Sequence, residues 1–440
     1  MSIFGYKKAL PETAGLFFGY ILVHSFMFKR KHVVAIACML GLSGCLWEGT
    51  DESLGDSSYL PINDSEYPYA GIPRLVIETE NFKDIRNRET EVPARLQIYG
   101  KDSPTTEIYE LTVRGRGNST YHAPKFGLKL EFLQKTSLLG MPADKDWALR
   151  SNYGDKTLLR DFMMTRLANR LGVAYVPRMH YVELYLNREY KGLYLLAETV
   201  KFAKHRVPVA KTDFNFLCEK EDSKKVDDPY FQTQDGNLIH IQEPKKASEN
   251  TVKRAKARLD SFELYLHAAD FWGEDSIQNW LHVQDFLEYY WVQEFAKNED
   301  GKFTRSVFFY WEKDGPIHFG PLWDFDLGFG NESRGMFAMP ENWFIRNYRW
   351  NRYILADRQM RLLAASYWKL HREIFHELID SIPLYKNQIE KAAENDLKRW
   401  PILDNTFLWA LRHSYDSYDE AVDSMTVWME KRFQWIEENL

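Results

Sequence analysis

The stretch Gly320 to Asn331 reads GPLWDFDLGFGN, and the rest of the chain takes its meaning from it. It follows an alternating run, Ser306 to Tyr310 and Ile317 to Phe319, broken by Lys313, Asp314 and Gly315, a pattern that predicts a β-hairpin. In an extended backbone, residues two apart share a face, so Asp324 and Asp326 are expected on one side with Phe325 anchored on the other. Gly328 and Gly330 then permit a sharp turn. Two hard oxygen ligands at a strand end suit a magnesium ion and a phosphate-bearing substrate. The competing reading of any Asp-x-Asp pair is a solvated turn. Against it stand Trp323, Phe325, Leu327 and Phe329, because carboxylates set among aromatics need a cation, hydrogen bonds or a raised pKa.

Immediately upstream, Val283 to Lys297 carries an apolar stripe that predicts a helix, and it stops at NEDGKF. That order places Asp300 in a loop before the hairpin, where it could bring a third carboxylate to the same cleft. Residues 201–276 read as charged and irregular, with one helical stretch around Val252 to His267 and no motif. Before them, VELYLNREYKGLYLLAE predicts a hairpin, Tyr181 to Leu186 and Gly192 to Ala197, with Glu198 at its exit. DKDWALRSNYGDKTLLRDFMMTRLANRLG, Asp144 to Gly172, predicts a helix with Asp155 as N-cap and Gly172 as its stop. Arg160 and Asp161 near the helix start read equally as a solvated pair or as site residues.

Further out, strands are expected at Arg74 to Glu78, Val92 to Tyr99 and Ile108 to Arg114. RGRGNSTYHAPKFGLKLEF, Arg114 to Phe132, follows. Gly115 and Gly117 permit close backbone approach, Asn118, Ser119 and Thr120 supply donors, and Lys125 and Lys129 lie on the strand beyond, so the turn could cradle phosphates. It is neither a Walker A loop nor a GxGxxG fingerprint, and taken by itself it reads first as a plain turn with surface lysines. Downstream of Asn331, helices are expected over Arg358 to Asp380, Leu384 to Trp400 and Ser417 to Asn439, a helical support in which His371, His376 and His413 lack ligand spacing.

With 440 residues, 45% of them hydrophobic and 15% aromatic, the chain can bury a large core and is not disordered. A net charge of −6 argues against a nucleic-acid partner. Cys38, Cys45 and Cys218 offer neither a disulfide framework nor Cys/His metal spacing, so any metal is expected on oxygen. FKRKHVVAIACMLGLSGC, Phe28 to Cys45, resembles a bacterial lipoprotein signal, with Cys45 as the residue that becomes lipidated. That implies a membrane anchor at the bacterial cell envelope, in the outer membrane or at the cell surface. Met27 would make a natural start, leaving residues 1–26 as an extension. Residues 46–72 read as a flexible tether and 73–440 as the body.

RGRGNST, DWALRSNYGDKTLLRD, VELYLNREYKGLYLLAE and PLWDFDLGFGN, in this order, resemble the CotH kinase family, spore coat protein H and its relatives, over roughly Pro73 to the C-terminus. The resemblance implies an α+β, atypical protein-kinase-like two-lobed fold with antiparallel sheets and a helical C-terminal support. It implies transfer of phosphate from ATP, with Mg²⁺ or Mn²⁺, to Ser or Thr of a secreted or surface protein. Asp300 would be the catalytic acid; Asp324 the principal metal ligand, with Asp326 and Ser306 beside it; and Arg116, Lys125, Lys129, Arg160 and Glu198 the nucleotide-side charges. Relatives commonly carry Asn where this chain has Ser306, a poorer metal ligand. Two other readings are a catalytically impaired surface-binding lipoprotein and a carboxylate-pair glycan hydrolase.

Overall fold

Seven strands follow one another from the first apolar run. They are β1 (Arg74–Thr79), β2 (Val92–Tyr99), β3 (Pro104–Arg116), β4 (Gly127–Thr136), β5 (Asp144–Arg150), β6 (Met179–Leu186) and β7 (Glu189–Glu198). They close into a barrel of order β1-β2-β3-β4-β5-β7-β6, antiparallel throughout except for the parallel β1–β6 seam. Closure leaves no exposed sheet edge. Alternate residues point inward, and Leu75, Ile77, Leu130, Trp147, Leu149 and Leu184 fill the interior at 0% exposure. The Trp147 indole N–H donates to Asp144 O at 3.1 Å, which lets so large a ring be buried without an orphaned donor. The expected strands are all present; antiparallel sheets were expected, and here seven strands close into a barrel with one parallel seam.

This computed structural model describes residues 60–101, 104–117, 120–223, 229–268, 270–331, 335, 338–405 and 413–440, all within one unit, Asp56–Leu440. Cys45, the leader, Asn118 and Ser119 lie outside the described residues. The described end of the stretch read as a tether, residues 60–72, packs on the barrel. Leu60 is buried with its N–H on Gln97 Oε1 at 2.7 Å, and Tyr67 stacks on Tyr190 with ring centroids 4.2 Å apart.

Between β5 and β6 lies α1 (Arg160–Leu171), ended by Gly172 at φ +81. Asp155 is not its N-cap. It stands five residues ahead of Arg160, yet its carboxylate accepts the Arg160 N–H at 2.9 Å, meeting a first-turn donor from a distance. Residues 201–276 are not irregular. They hold β8 (Asn215–Lys220), β9 (Tyr230–Gln232), β10 (Leu238–Glu243) and α2 (Glu249–Ala268). With β11 (Val307–Glu312) and β12 (His318–Phe319) these strands make a second sheet, order β12-β11-β8-β10-β9. Short strands inside a charged run carry too little periodicity to be seen without their partners.

The second core joins this sheet to α1, to α3 (Val283–Ala296) and to the C-terminal helices α4 (Arg349–Ile354), α5 (Arg358–Asp380), α6 (Ile382–Arg399) and α7 (Tyr418–Asn439). α3 is buried nearly all round and is clamped from α7 by Arg432, whose guanidinium reaches Glu294 at 2.7 Å with both side chains at 0% exposure. No described helix is long and apolar enough to cross a membrane. The architecture is mixed α+β, a barrel and a second sheet with a helical C-terminal region.

Candidate active site

The Gly320–Asn331 stretch leaves β12 as irregular backbone and becomes a turn from Asp326 onward. Asp324 has φ +68, so the Asp-x-Asp pair is not the extended segment that strand geometry predicts. The reason is tertiary: the backbone is held from both sides. Asp161, on α1, accepts the Phe325 N–H at 2.9 Å; Asn298 donates to Asp324 O at 3.0 Å; Asn331 donates to Asp326 O at 2.6 Å. Arg160 clasps the turn beyond, its guanidinium on Gly328 O at 2.9 Å and Phe329 O at 3.2 Å, with Asp155 and Thr157 behind it. Gly330, at φ +75, lies so close to the Trp428 ring that a Cβ would stand 2.7 Å from it. Gly328 is needed for close packing on α3, where a Cβ would come within 3.3 Å of Ala296, rather than for a positive φ.

Asp300 begins a tight loop after α3, its carbonyl accepting the N–H groups of Thr304 at 3.1 Å and Arg305 at 3.3 Å. The loop ends at Ser306, whose hydroxyl donates to Asp324 Oδ2 at 3.1 Å. Lys220 holds the loop from β8 by donating to Thr304 O at 3.0 Å. Four non-glycine residues of these two segments, Phe303, Ser306, Asp324 and Phe329, have positive φ. Such backbone is costly, and the surrounding bonds are what sustain it.

On the barrel side, Arg150 at the end of β5 reaches Asp161 and Asp324, each at 2.6 Å. Its guanidinium lies 4.8 Å from the Trp323 ring centroid, and that of Arg116, at the end of β3, lies 5.0 Å from the same ring. The two guanidinium groups thus flank Asp324. Burial, and then Arg150, push Arg116 down to about 10, which still leaves it charged at neutral pH. Arg150 pulls Asp324 below the ordinary carboxylate range against the effect of burial. Asp326 and Asp300 go the other way. Burial first and Asp324 second raise both well above that range. Asp300 is tied to Arg305 at 3.5 Å, whereas no hydrogen bond to the Asp326 carboxylate comes from a described residue.

Of the sequence candidates, Asp300, Ser306, Asp324, Asp326, Arg116 and Arg160 therefore belong to one neighbourhood. Three do not join it by any contact. Lys125 is fully buried and bound to Asp396 Oδ1 at 2.7 Å and Leu193 O at 2.6 Å, inside the barrel's junction with α6. Lys129 pairs with Glu91 at 2.8 Å and with Glu131 along the barrel wall. Glu198 receives the Arg178 backbone N–H at 3.0 Å and its guanidinium at 2.8 Å. The glycine turn is knit to the β1–β2 connection, where a Cβ on Gly115 would stand 2.7 Å from Arg86 O, so its tightness serves backbone packing. Sequence reading missed Arg150, and left Asp161 undecided. The signal was a basic residue closing a strand and an acid opening the next helix, a pattern too common to single out.

The site is thus a group of acids flanked by arginines, set where the barrel meets α1, the Asp300 loop and the Gly320–Asn331 stretch. A family model described as CotH kinase protein matches residues 113–436, and the chain belongs to that family. β1, β2 and most of β3 precede the match although they complete the barrel. No curated protein matches the chain.

Proposed function

We propose that the chain is an atypical, two-lobed protein kinase that transfers a phosphoryl group from ATP to Ser or Thr of a protein at the bacterial cell envelope, where it is held by a lipid on Cys45. The carrying observation is that Arg150 of the barrel and Ser306 of the Asp300 loop meet on one carboxylate, Asp324, at 2.6 and 3.1 Å. Barrel and helical body would be the two lobes.

A divalent ion fits the residues present. Asp324 and Asp326 are hard oxygen donors, and Asp326 is a carboxylate kept among Asp324 and Asp161 without a hydrogen-bond partner among the described residues. Asp300, Asp324 and Asp326 do not have all three ligand atoms within 4.8 Å of one another; Asp300, on its own loop and tied to Arg305, is assigned to the acceptor. Bound Mg²⁺ or Mn²⁺ would neutralise phosphate charge. Arg116 and Arg150 would take phosphate oxygens, a role expected of Lys125 and Lys129 from the sequence. Asp161 orients Arg150, Arg160 fixes the turn, and Asp300 orients the acceptor hydroxyl.

Incubation with labelled ATP and Mg²⁺ or Mn²⁺ tests this. Asp324→Ala should lower incorporation by about 10²–10³ or more while circular dichroism stays native. Unchanged turnover in a folded variant would remove the proposed role. Ser306 gives some weight to a binding protein that has lost turnover, since its hydroxyl is spent on Asp324. Wild-type chain that is stabilised by ATP and metal yet transfers nothing would select that reading.

A further inference from the structure

Away from the aspartates, His282, Asp285 and His318 bring three ligand atoms within 4.8 Å of one another, the one such trio of His, Cys, Asp or Glu among the described residues. We propose that these three side chains are a metal site of the zinc class that fastens the start of α3 to β12.

The backbone has already assembled the site. His282 N–H donates to Ile317 O at 2.9 Å and Ile317 N–H to Trp280 O at 2.8 Å, so the segment before α3 and the segment before β12 are paired as a short ladder. His282 precedes the first turn of α3, Asp285 lies in that turn, and His318 opens β12. One carboxylate then serves two imidazoles. His282 Nδ1 lies 2.6 Å from Asp285 Oδ1, and His318 Nδ1 lies 2.7 Å from Asp285 Oδ2. The rings stand side by side, centroids 4.7 Å apart and planes 21° from parallel. His318 is fixed from behind by Tyr310, stacked at 4.8 Å and 9°. His282 is also the N-cap of α3, its Nδ1 accepting the Asp285 N–H at a long 3.4 Å, a bond that an ion on the same nitrogen would replace.

An ion about 2.0–2.2 Å from each N and O ligand would need the present contacts to open, and His282 is the exposed member that can turn to let it in. The His282 side chain is 43% exposed and that of His318 25%, which gives solvent access. The helix N-terminus opposes a cation, and the Asp285 charge in the first turn offsets that. Two imidazole nitrogens and one carboxylate oxygen favour Zn²⁺ over Mg²⁺, the reverse of the Asp324–Asp326 pair. His318 precedes Asp324 by six residues, so coordination would stiffen the segment that carries Asp324.

The full chain, without an affinity tag and stripped with EDTA, is dialysed against Zn²⁺ or Co²⁺. One ion per chain is expected, with a visible cobalt band, a raised melting temperature and no competition from millimolar Mg²⁺. His318→Phe keeps the stack on Tyr310 and His282→Asn keeps a capping oxygen. Each should weaken Zn²⁺ binding by more than the about 10–100-fold that loss of an outer partner causes, with native circular dichroism in EDTA. Asp324→Ala should keep its full zinc content. A wild-type chain that takes up no zinc holds the triad by protons alone, and zinc uptake indifferent to both histidine variants lies elsewhere; either result overturns the proposal.

Discussion

Asp300 is 6% exposed and lies in the field of Asp324 and Asp326, so burial and like charge both favour its protonated form. Between the ordinary carboxylate pKa and this raised one, the folded chain binds a proton that the unfolded chain does not, and stability falls as pH rises through that window. Asp300→Asn should therefore be at least as stable as the wild type at neutral pH in urea melts, the difference shrinking as pH falls below the raised value. The same substitution should lower turnover by about 10²–10⁴, the usual share of a positioned acid or base. Arg150 presents the opposite case. Asp161, 0% exposed at its side chain, depends on it for charge balance. Arg150→Met should cost about 3–5 kcal/mol of unfolding free energy, the range for breaking a buried pair on one side. A loss under 1 kcal/mol would mean that Asp161 is neutral in the fold.

Among the elements, the turn after Asp326 and the loop from Asp300 to Ser306 are shaped by side chains that arrive from elsewhere. Arg160 supplies a planar fork to two carbonyls and to Asp155, and lysine cannot reproduce it. Arg160→Lys should lose about 1.5–3 kcal/mol, the scale of hydrogen bonds to a charged group. It should also lower turnover without abolishing it, since Arg160 touches backbone only around the site. In the sequence Arg160 and Asp161 read equally as a solvated pair or as site residues, and the clasp on the turn was not visible. The two neighbours divide instead, Arg160 toward the turn and Asp161 toward Arg150 and Phe325, because consecutive helical residues face different sides. The helices over Arg358–Asp380 and Tyr418–Asn439 were legible almost to the residue, since long apolar stripes are set locally and capped locally by Asp357 and Ser417.

For the whole molecule, the barrel is tied to α6 by Lys125, which is buried against Asp396 and pushed down in pKa by that burial. Lys125→Met strands a buried carboxylate and should cost about 3–5 kcal/mol in chemical denaturation. Lys125→Met with Asp396→Leu should recover part of that loss. Phosphoryl transfer by the folded fraction should stay at the wild-type rate in both, which separates this lysine from the nucleotide role that its place after the glycine turn suggested. The closed barrel and the second sheet were the least legible features. Closure depends on a parallel seam between β1 and β6, far apart in the chain, and β8 to β10 are short strands whose partners include β11.

The sequence alone determined the family and the strand and helix runs with strong periodicity, and it singled out Asp300, Asp324 and Asp326, which the fold brings into one neighbourhood, because each is written in a contiguous stretch. Tertiary structure alone decided which cations face those acids. Arg150 and Arg116 come from strand ends and Lys125 and Lys129 do not reach, since the direction of a side chain on a barrel is set by register and closure. The left-handed backbone at Asp324 has the same origin: bonds from Asp161, Asn298 and Asn331 override the extended conformation that its own neighbours favour.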